Sequence, residues 1–186
     1  MTRNHGVVAT ARLDVVPLSP PLVAALVAGD LPRAAALAPF PLDAGTFAGD
    51  EYVLALRHGQ LTADPSEEPW LYRAAVLRDT GAVVARAGFH APPDDRGTVE
   101  IGYSVAPAYR RQGLATELAA GLLAWARGNG ARRCLASVRP DNVASLRTIG
   151  RLGFVRTGEE VDEIDGLEWV FTLELDRALR HPVAPR

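Results

Sequence analysis

The stretch Thr98-Val-Glu-Ile-Gly-Tyr-Ser-Val-Ala-Pro-Ala-Tyr-Arg-Arg-Gln-Gly-Leu-Ala-Thr116 decides how this chain folds. Its first eight residues alternate. Val99, Ile101, Tyr103 and Val105 share one face, and Thr98, Glu100, Gly102 and Ser104 the other, which is the two-residue period of a strand. Pro107 lacks an amide hydrogen and blocks further ladder pairing. The period then changes: Leu114, Leu118, Leu122 and Trp125 form one helical stripe. A strand therefore feeds a helix through a loop rich in donors. The start of that helix exposes unpaired N–H groups and the positive end of its dipole. Arg110 and Arg111 add two charges, and Gly113 and Ala115 are small where a phosphate would approach the backbone. The stretch reads either as an anion site or as an ordinary capped helix. No lysine follows and no G-x-G-x-x-G occurs, so neither nucleotide loop is supported.

Working outward, Trp70–Arg78 and Ala82–His90 flank Asp79-Thr80-Gly81 and predict a hairpin. With Thr98–Val105 they make three antiparallel strands. Further back, Leu13–Val16 reads as a short strand. Three helices follow: one opened by Ser19-Pro20 and stopped at Gly29, one over Pro32–Ala38 capped by Asp30, and one capped by Asp50 and running to about Ala63. Asp64–Pro69 is a polar break. On the other side, Asn129-Gly130 ends the long helix and Arg132–Val138 reads as a strand. Asn142–Leu152 reads as a helix ended by Gly153, followed by strands at Phe154–Thr157 and Leu167–Leu175. The strand–helix–strand unit around Leu114 requires at least one parallel pair. The expected class is α/β (α+β): a mixed, mostly antiparallel central sheet flanked by helices.

At 186 residues and about 150 per domain, one domain is the expectation. A formal charge of −2 leaves no footprint for nucleic acid or an anionic membrane. No apolar run reaches a membrane span, and Met1–Thr10 lacks a signal-peptide core. Cys134 is the only cysteine, which excludes an internal disulfide and a thiolate metal cluster, and fits a reducing, cytoplasmic location. All 20 basic residues are arginine, so Schiff-base and lysine general-base chemistry are excluded. His5, His58 and His181 have no ligand-like spacing, and no metal is expected.

A second stretch is Asp141-Asn-Val-Ala-Ser145, followed by Leu146, Ile149 and Leu152-Gly-Phe154. Asn142 and Ser145 share a helix face; alone they read as an N-cap and a surface serine. Together the two stretches say more. The ordered set Val99-Glu-Ile-Gly-Tyr103, Pro107, Arg111-Gln-Gly-Leu-Ala-Thr-Glu117, Asn142-x-x-Ser145 and Leu152-Gly-Phe154 resembles the GNAT acetyltransferase superfamily. Within it, the set is most similar to the RimJ/RimL-type ribosomal-protein N-acetyltransferases. The resemblance is specific over about Trp70–Leu175. It divides the domain into an acceptor side (1–69), an acetyl-CoA core (70–175) and a tail (176–186).

The resemblance implies that Arg110, Arg111, Gln112, Gly113, Leu114, Ala115 and Thr116 hold the pyrophosphate of acetyl-CoA through main-chain N–H groups. It implies that Val105 offers its backbone to the pantetheine arm where two parallel strands splay apart. Asn142 would bond that arm and Ser145 would lie near the thiol. The tyrosine that protonates the thiolate in many members is replaced here by Ile149, so Ser145 inherits that role, directly or through water. The acceptor would be an amine, either a peptide N-terminus or a small molecule, and a homodimer stays open as a partner.

The reaction needs a base for the amine, donors for the oxyanion and close positioning. Glu100 is the first candidate base, because a mid-strand charge is costly without a task or partner; a salt bridge to an arginine is the alternative. His90 is the second candidate, beside Glu100 if the hairpin pairs as drawn, and otherwise an exposed turn residue. Glu159–Glu168 holds six carboxylates in ten residues. It reads as a solvated hairpin loop or as a wall attracting a cationic acceptor.

Two other functions compete. Gly102-Tyr-Ser-Val-Ala106 is one residue short of a G-x-S-x-G elbow, which would suggest a serine hydrolase, but Val105-Ala106-Pro107 should stay extended where that elbow needs a helix. A non-catalytic acetyl-CoA sensor would share the cofactor residues and differ only on the acceptor side.

Overall fold

The computed structural model describes residues 6–164 and 166–178. His5, His181, Asp165 and most of the expected tail lie outside them. Eight strands form one sheet in the order β1-β2-β3-β4-β5-β6-β8-β7. Their ranges are β1 Val8–Ala9, β2 Leu13–Pro17, β3 Tyr72–Leu77, β4 Val83–Phe89, β5 Thr98–Val105, β6 Arg133–Val138, β7 Val155–Asp162 and β8 Gly166–Glu174. Every pairing is antiparallel except β5–β6. The helices are α1 Pro20–Val27, α2 Leu31–Leu37, α3 Glu51–Ala63, α4 Leu114–Gly128, α5 Val143–Arg151 and α6 Leu175–Ala178.

Two apolar cores cover the two faces of the sheet. One joins Leu114, Leu118 and Leu122 of α4 and Ile149 of α5 to Ala85, Ala87 and Phe89 of β4, Val99 and Ile101 of β5, and Cys134 and Ala136 of β6. The other joins Leu22 and Val23 of α1, Ala34 of α2 and Leu54 and Leu61 of α3 to Ala74 and Val76 of β3. From Ala85 onward, strand alternation turns odd-numbered β4 and β5 residues toward α4 and α5, and even-numbered ones toward the face that carries α1–α3; before it, at an irregularity in the β3–β4 register, Val84 faces the first core and Val83 the second.

Several expectations change. The first 69 residues contribute two strands to the sheet as well as helices, and β1 was not anticipated because two residues show no period. Asp50 precedes α3 as expected but makes no side-chain cap. Its carboxylate instead meets Arg86 Nε at 2.7 Å, a half-buried charge pair that a local cap could not match. The strand expected over Phe154–Thr157 runs on as β7 to Asp162, so Glu159 and Glu160 sit on a strand and Glu168 on β8, not in a loop. Glu159 and Glu160 stay exposed on the edge strand β7, whereas Glu168 is half-buried on β8.

Candidate active site

Strands β5 and β6 pair only through Thr98–Arg133, Val99–Cys134 and Glu100–Leu135, then separate. The result is a wedge with Glu100 at its apex and Val105 at its mouth. The register decides what the wedge offers. His90 N donates to Glu100 O and Ala106 N donates to Val84 O, at 2.9 Å each, so even-numbered residues of β5 bond β4. The backbone groups of Tyr103 and Val105 consequently point toward β6 at a depth where its pairing with β5 has ended. One of these groups is occupied: Val105 O accepts from Arg110 Nε at 3.0 Å. The backbone edge expected at Val105 is present, partly closed by that arginine.

Beyond the mouth, residues 107–109 make one 3₁₀ turn and α4 starts at Leu114. Arg111 (φ 60°) and Gly113 (φ 77°) both adopt left-handed backbone, which turns the chain sharply enough to aim the first N–H groups of α4 outward. Arg12 braces this turn from outside, donating through Nη1 to Gln112 O at 3.0 Å and through Nε to Glu117 Oε2 at 2.6 Å. A cavity of about 640 Å³ opens here, bordered by Val105, Arg110, Arg111, Gly113–Thr116, Asn142 and Ser145, with Arg147 and Arg151 of α5 on its far wall. Gln112 is not among its lining residues; its carbonyl serves the brace. Arg12, Arg147 and Arg151 escaped sequence reasoning because only the docking of β2 and α5 against the turn brings them near.

Asn142 caps α5, with Oδ1 accepting from Ser145 N at 3.1 Å. The simple capping role is thus real, and it also places both residues on the wall between two cavities. The second cavity, about 450 Å³, fills the wedge itself and is lined by Tyr103, Ser137, Asn142, Ser145 and Glu168 among others.

At the apex, Glu100 meets no arginine among the described residues. Its Oε2 lies 3.4 Å from His90 Nδ1 and its Oε1 accepts from Ser137 Oγ at 2.8 Å. The hydrogen bond from His90 holds the Glu100 carboxyl below the ordinary carboxylate range, with Ser137 adding to the effect against the desolvation of burial. His90 stands half exposed, and its carbonyl accepts from Arg57 Nη1 and Gln60 Nε2 of α3 at 2.9 Å each. Strand alternation puts the Glu100 and His90 side chains on the α1–α3 face. Ser137 Oγ also lies 2.8 Å from Glu160 Oε1. One hydroxyl carries one proton, so Ser137 serves Glu100 or Glu160 but not both at once. Ser137 has no signal in the sequence, because only the parallel pairing of β5 with β6 brings it to Glu100; Glu160 belongs to the acidic run 159–168, but its place beside Ser137 follows from the strand order β6-β8-β7.

Other candidates resolve differently. Ser104 is an exposed residue inside β5, and Ala106 stays extended (φ −56°, ψ 138°), so the strand–turn–helix elbow of a serine hydrolase is not formed. Cys134 is fully buried and its thiol is pushed up to about 12 by burial, which leaves it inert as a nucleophile. Among the described residues no group of three or more His, Cys, Asp or Glu could hold a metal, and no helix is long and apolar enough to cross a membrane.

Comparison with known proteins gives the family. A family model described as the acetyltransferase (GNAT) domain matches residues 32–155, and the chain belongs to that family. It is 35% identical over 81 residues to YjdG of Bacillus subtilis strain 168, described as an uncharacterized N-acetyltransferase; the match covers 43% of this chain and about half, 48%, of that relative. Among solved structures, Mycobacterium smegmatis RimJ in complex with CoA-disulfide aligns with a TM-score of 0.63 at 19% identity, covering 95% of this chain and 91% of that one. The ribosomal-protein-S5-alanine acetyltransferase of Vibrio fischeri aligns with a TM-score of 0.62 at 17% identity, covering 94% and 98%. At such identities the structural likeness is one of fold.

Proposed function

We propose that this chain is an N-acetyltransferase that moves the acetyl group of acetyl-CoA directly to a primary amine. The observation that carries the reading is the wedge between β5 and β6, with an anion-ready turn at its mouth and a low-pKa carboxylate at its apex. In this reading residues 110–116 hold the pyrophosphate, Val105 and Asn142 hold the pantetheine arm, and an unpaired N–H of β5 faces the oxyanion. Glu100, aided by His90 or a water relay, takes the proton that the amine loses. Ser145 faces the departing thiolate, directly or through water. The proton lost by nitrogen equals the proton gained by sulfur, so no covalent enzyme intermediate is required.

The acceptor enters from the side built by residues 1–69, against the core of 70–175 in one acetyltransferase domain. A peptide N-terminus or a small-molecule amine fits there. The carboxylates of β7 and β8 beside Glu100 favour a cationic acceptor, and the free Cys134 suits a reducing cytoplasm.

Thermal unfolding with acetyl-CoA tests the cofactor half, with ATP and NAD as controls. At 100 times its dissociation constant the ligand adds about 2.7 kcal/mol, roughly 5–10 °C for a domain of this size. A shift with acetyl-CoA alone is expected; its absence overturns the reading. Thiol release across an amine panel then separates an enzyme from a sensor, since binding without release on every amine favours the sensor.

Glu100→Gln tests the acceptor half. Turnover should fall about 100-fold while the acetyl-CoA shift persists; an unchanged rate removes Glu100 as base. The variant also has a pH signature. Because the folded Glu100 pKa is lowered, the stability it supplies is present above its unfolded pKa and lost as pH falls through the folded one. The stability gap between the two proteins should close over that acidic window and stay constant around neutrality.

A further inference from the structure

Three residues border both cavities: Asn142, Ser145 and Tyr103. The alternation of β5 assigns Tyr103 to the core face, and its ring does pack against the core beneath α4 and α5. Its hydroxyl, however, is buried and meets no hydrogen-bond partner at full geometry. An unmade bond of that kind costs about 1–3 kcal/mol, so the position calls for a reason.

Two neighbours supply one. The side chains of Ser145 and Thr148 lie against the phenol, three residues apart and so on one face of α5. Thr148 Oγ1 has already committed its proton to Ala144 O at 3.0 Å; toward Tyr103 it can only accept. Ser145 is held by its own backbone, since its N–H is fixed on Asn142 Oδ1, and its hydroxyl can rotate to accept from the phenol beside it. The phenol therefore has two acceptors available, one on each side. Burial raises the Tyr103 pKa, which keeps the phenol protonated and makes it a donor throughout.

We propose that Tyr103 is a positioning residue for thiolate departure: its O–H donates to Ser145 Oγ and thereby turns the Ser145 proton toward the sulfur. This rests on the assignment of Ser145 to the thiol end of acetyl-CoA made above. Tyr103 keeps its own proton. The C–S bond breaks with its electron pair on sulfur, the new C–N bond forms, the amine proton leaves to Glu100 or water, and sulfur regains a proton from the open wedge. A donor chain aimed at sulfur stabilises the anionic form over the neutral one.

Enzyme-bound CoA gives the readout, with no acceptor needed. The Raman S–H band of the bound thiol is followed against pH. Cys134 contributes a constant band below its own pKa of about 12. In the unaltered chain the bound thiol should titrate about one unit below free CoA, a tenfold change in acidity. Tyr103→Phe should return most of that shift while CoA affinity and melting temperature hold. Ser145→Ala should abolish the shift, and adding Tyr103→Phe to it should change nothing more, since the phenol acts through Ser145. A bound thiol that titrates in Tyr103→Phe as it does in the unaltered chain overturns the proposal. So does a further effect of Tyr103→Phe in the Ser145→Ala background. If Tyr103→Phe does not fold, Ser145→Ala decides alone: an unaltered thiol pKa there overturns it. Failure of the unaltered chain to bind CoA is a separate result, which overturns the acetyl-CoA reading and this proposal with it.

Discussion

Gly113→Val is expected to abolish acetyl-CoA binding while the protein still folds. Gly113 is the residue before α4, at φ 77° and ψ 1°, a left-handed conformation that a β-branched residue adopts only at a cost of about 1–3 kcal/mol. Space is not the obstacle: the nearest atom to an added Cβ is Arg12 Nη2 at 3.7 Å, an ordinary contact. The sheet and the α4 core would therefore survive, and the strain would be relieved by rotating the turn itself. That rotation redirects the N–H groups of residues 114–116, which is what an anion site of this kind cannot tolerate, because its donors are backbone and have no rotamers to readjust. The measurement is the melting temperature with and without acetyl-CoA. The roughly 5–10 °C shift expected of the unaltered protein should disappear, with the ligand-free transition still cooperative. A full shift in the variant would remove residues 110–116 from the cofactor site.

Gly88→Ala is expected to prevent folding altogether. A Cβ at Gly88 would stand 1.7 Å from Leu71 O and 2.6 Å from Leu71 C. Both are backbone atoms just before β3, and they cannot swing aside as a side-chain tip can. Gly88 pairs with Tyr72 on one side and Gly102 on the other, so separating the strands would break the ladder at the centre of the sheet. A loss above about 4 kcal/mol removes much of the roughly 5–15 kcal/mol that holds a domain folded. The soluble yield should collapse, and any recovered protein should lack a cooperative melt. Gly102 is the control on the neighbouring strand. There an added Cβ meets His90 Nε2 at 3.3 Å, the end of a half-exposed ring that can turn away, so Gly102→Ala should fold. Equal damage at both positions would show that the close approach at Leu71 is not what demands glycine.

The two glycines also mark how far the chain could be read without its structure. Gly113 announces itself, because a strand period, a proline, two arginines, a glycine and a helix period follow one another within a few residues, and each depends on neighbours in sequence. The same holds for the Asn142 cap, the hairpin at Asp79–Gly81 and the stripe of α4. Gly88 gives no such signal, since its constraint is the carbonyl of a residue 17 positions earlier. Asp50 shows a local signal overruled: it occupies a capping position, yet a half-buried arginine on β4 takes its carboxylate.

What the amino-acid sequence determined by itself was the order and period of most elements, the strand–turn–helix passage over 98–116 and the cap at Asn142. These follow from interactions that reach only three or four residues along the chain. Only the tertiary structure decided that β5 and β6 part after Glu100, that Arg12 braces the turn, that Ser137 stands between Glu100 and Glu160, and that the Tyr103 hydroxyl is left facing Ser145. Each of these depends on which strands and helices lie side by side. That neighbourhood is set by the burial of two apolar cores assembled from distant segments, and no local pattern in the chain records it.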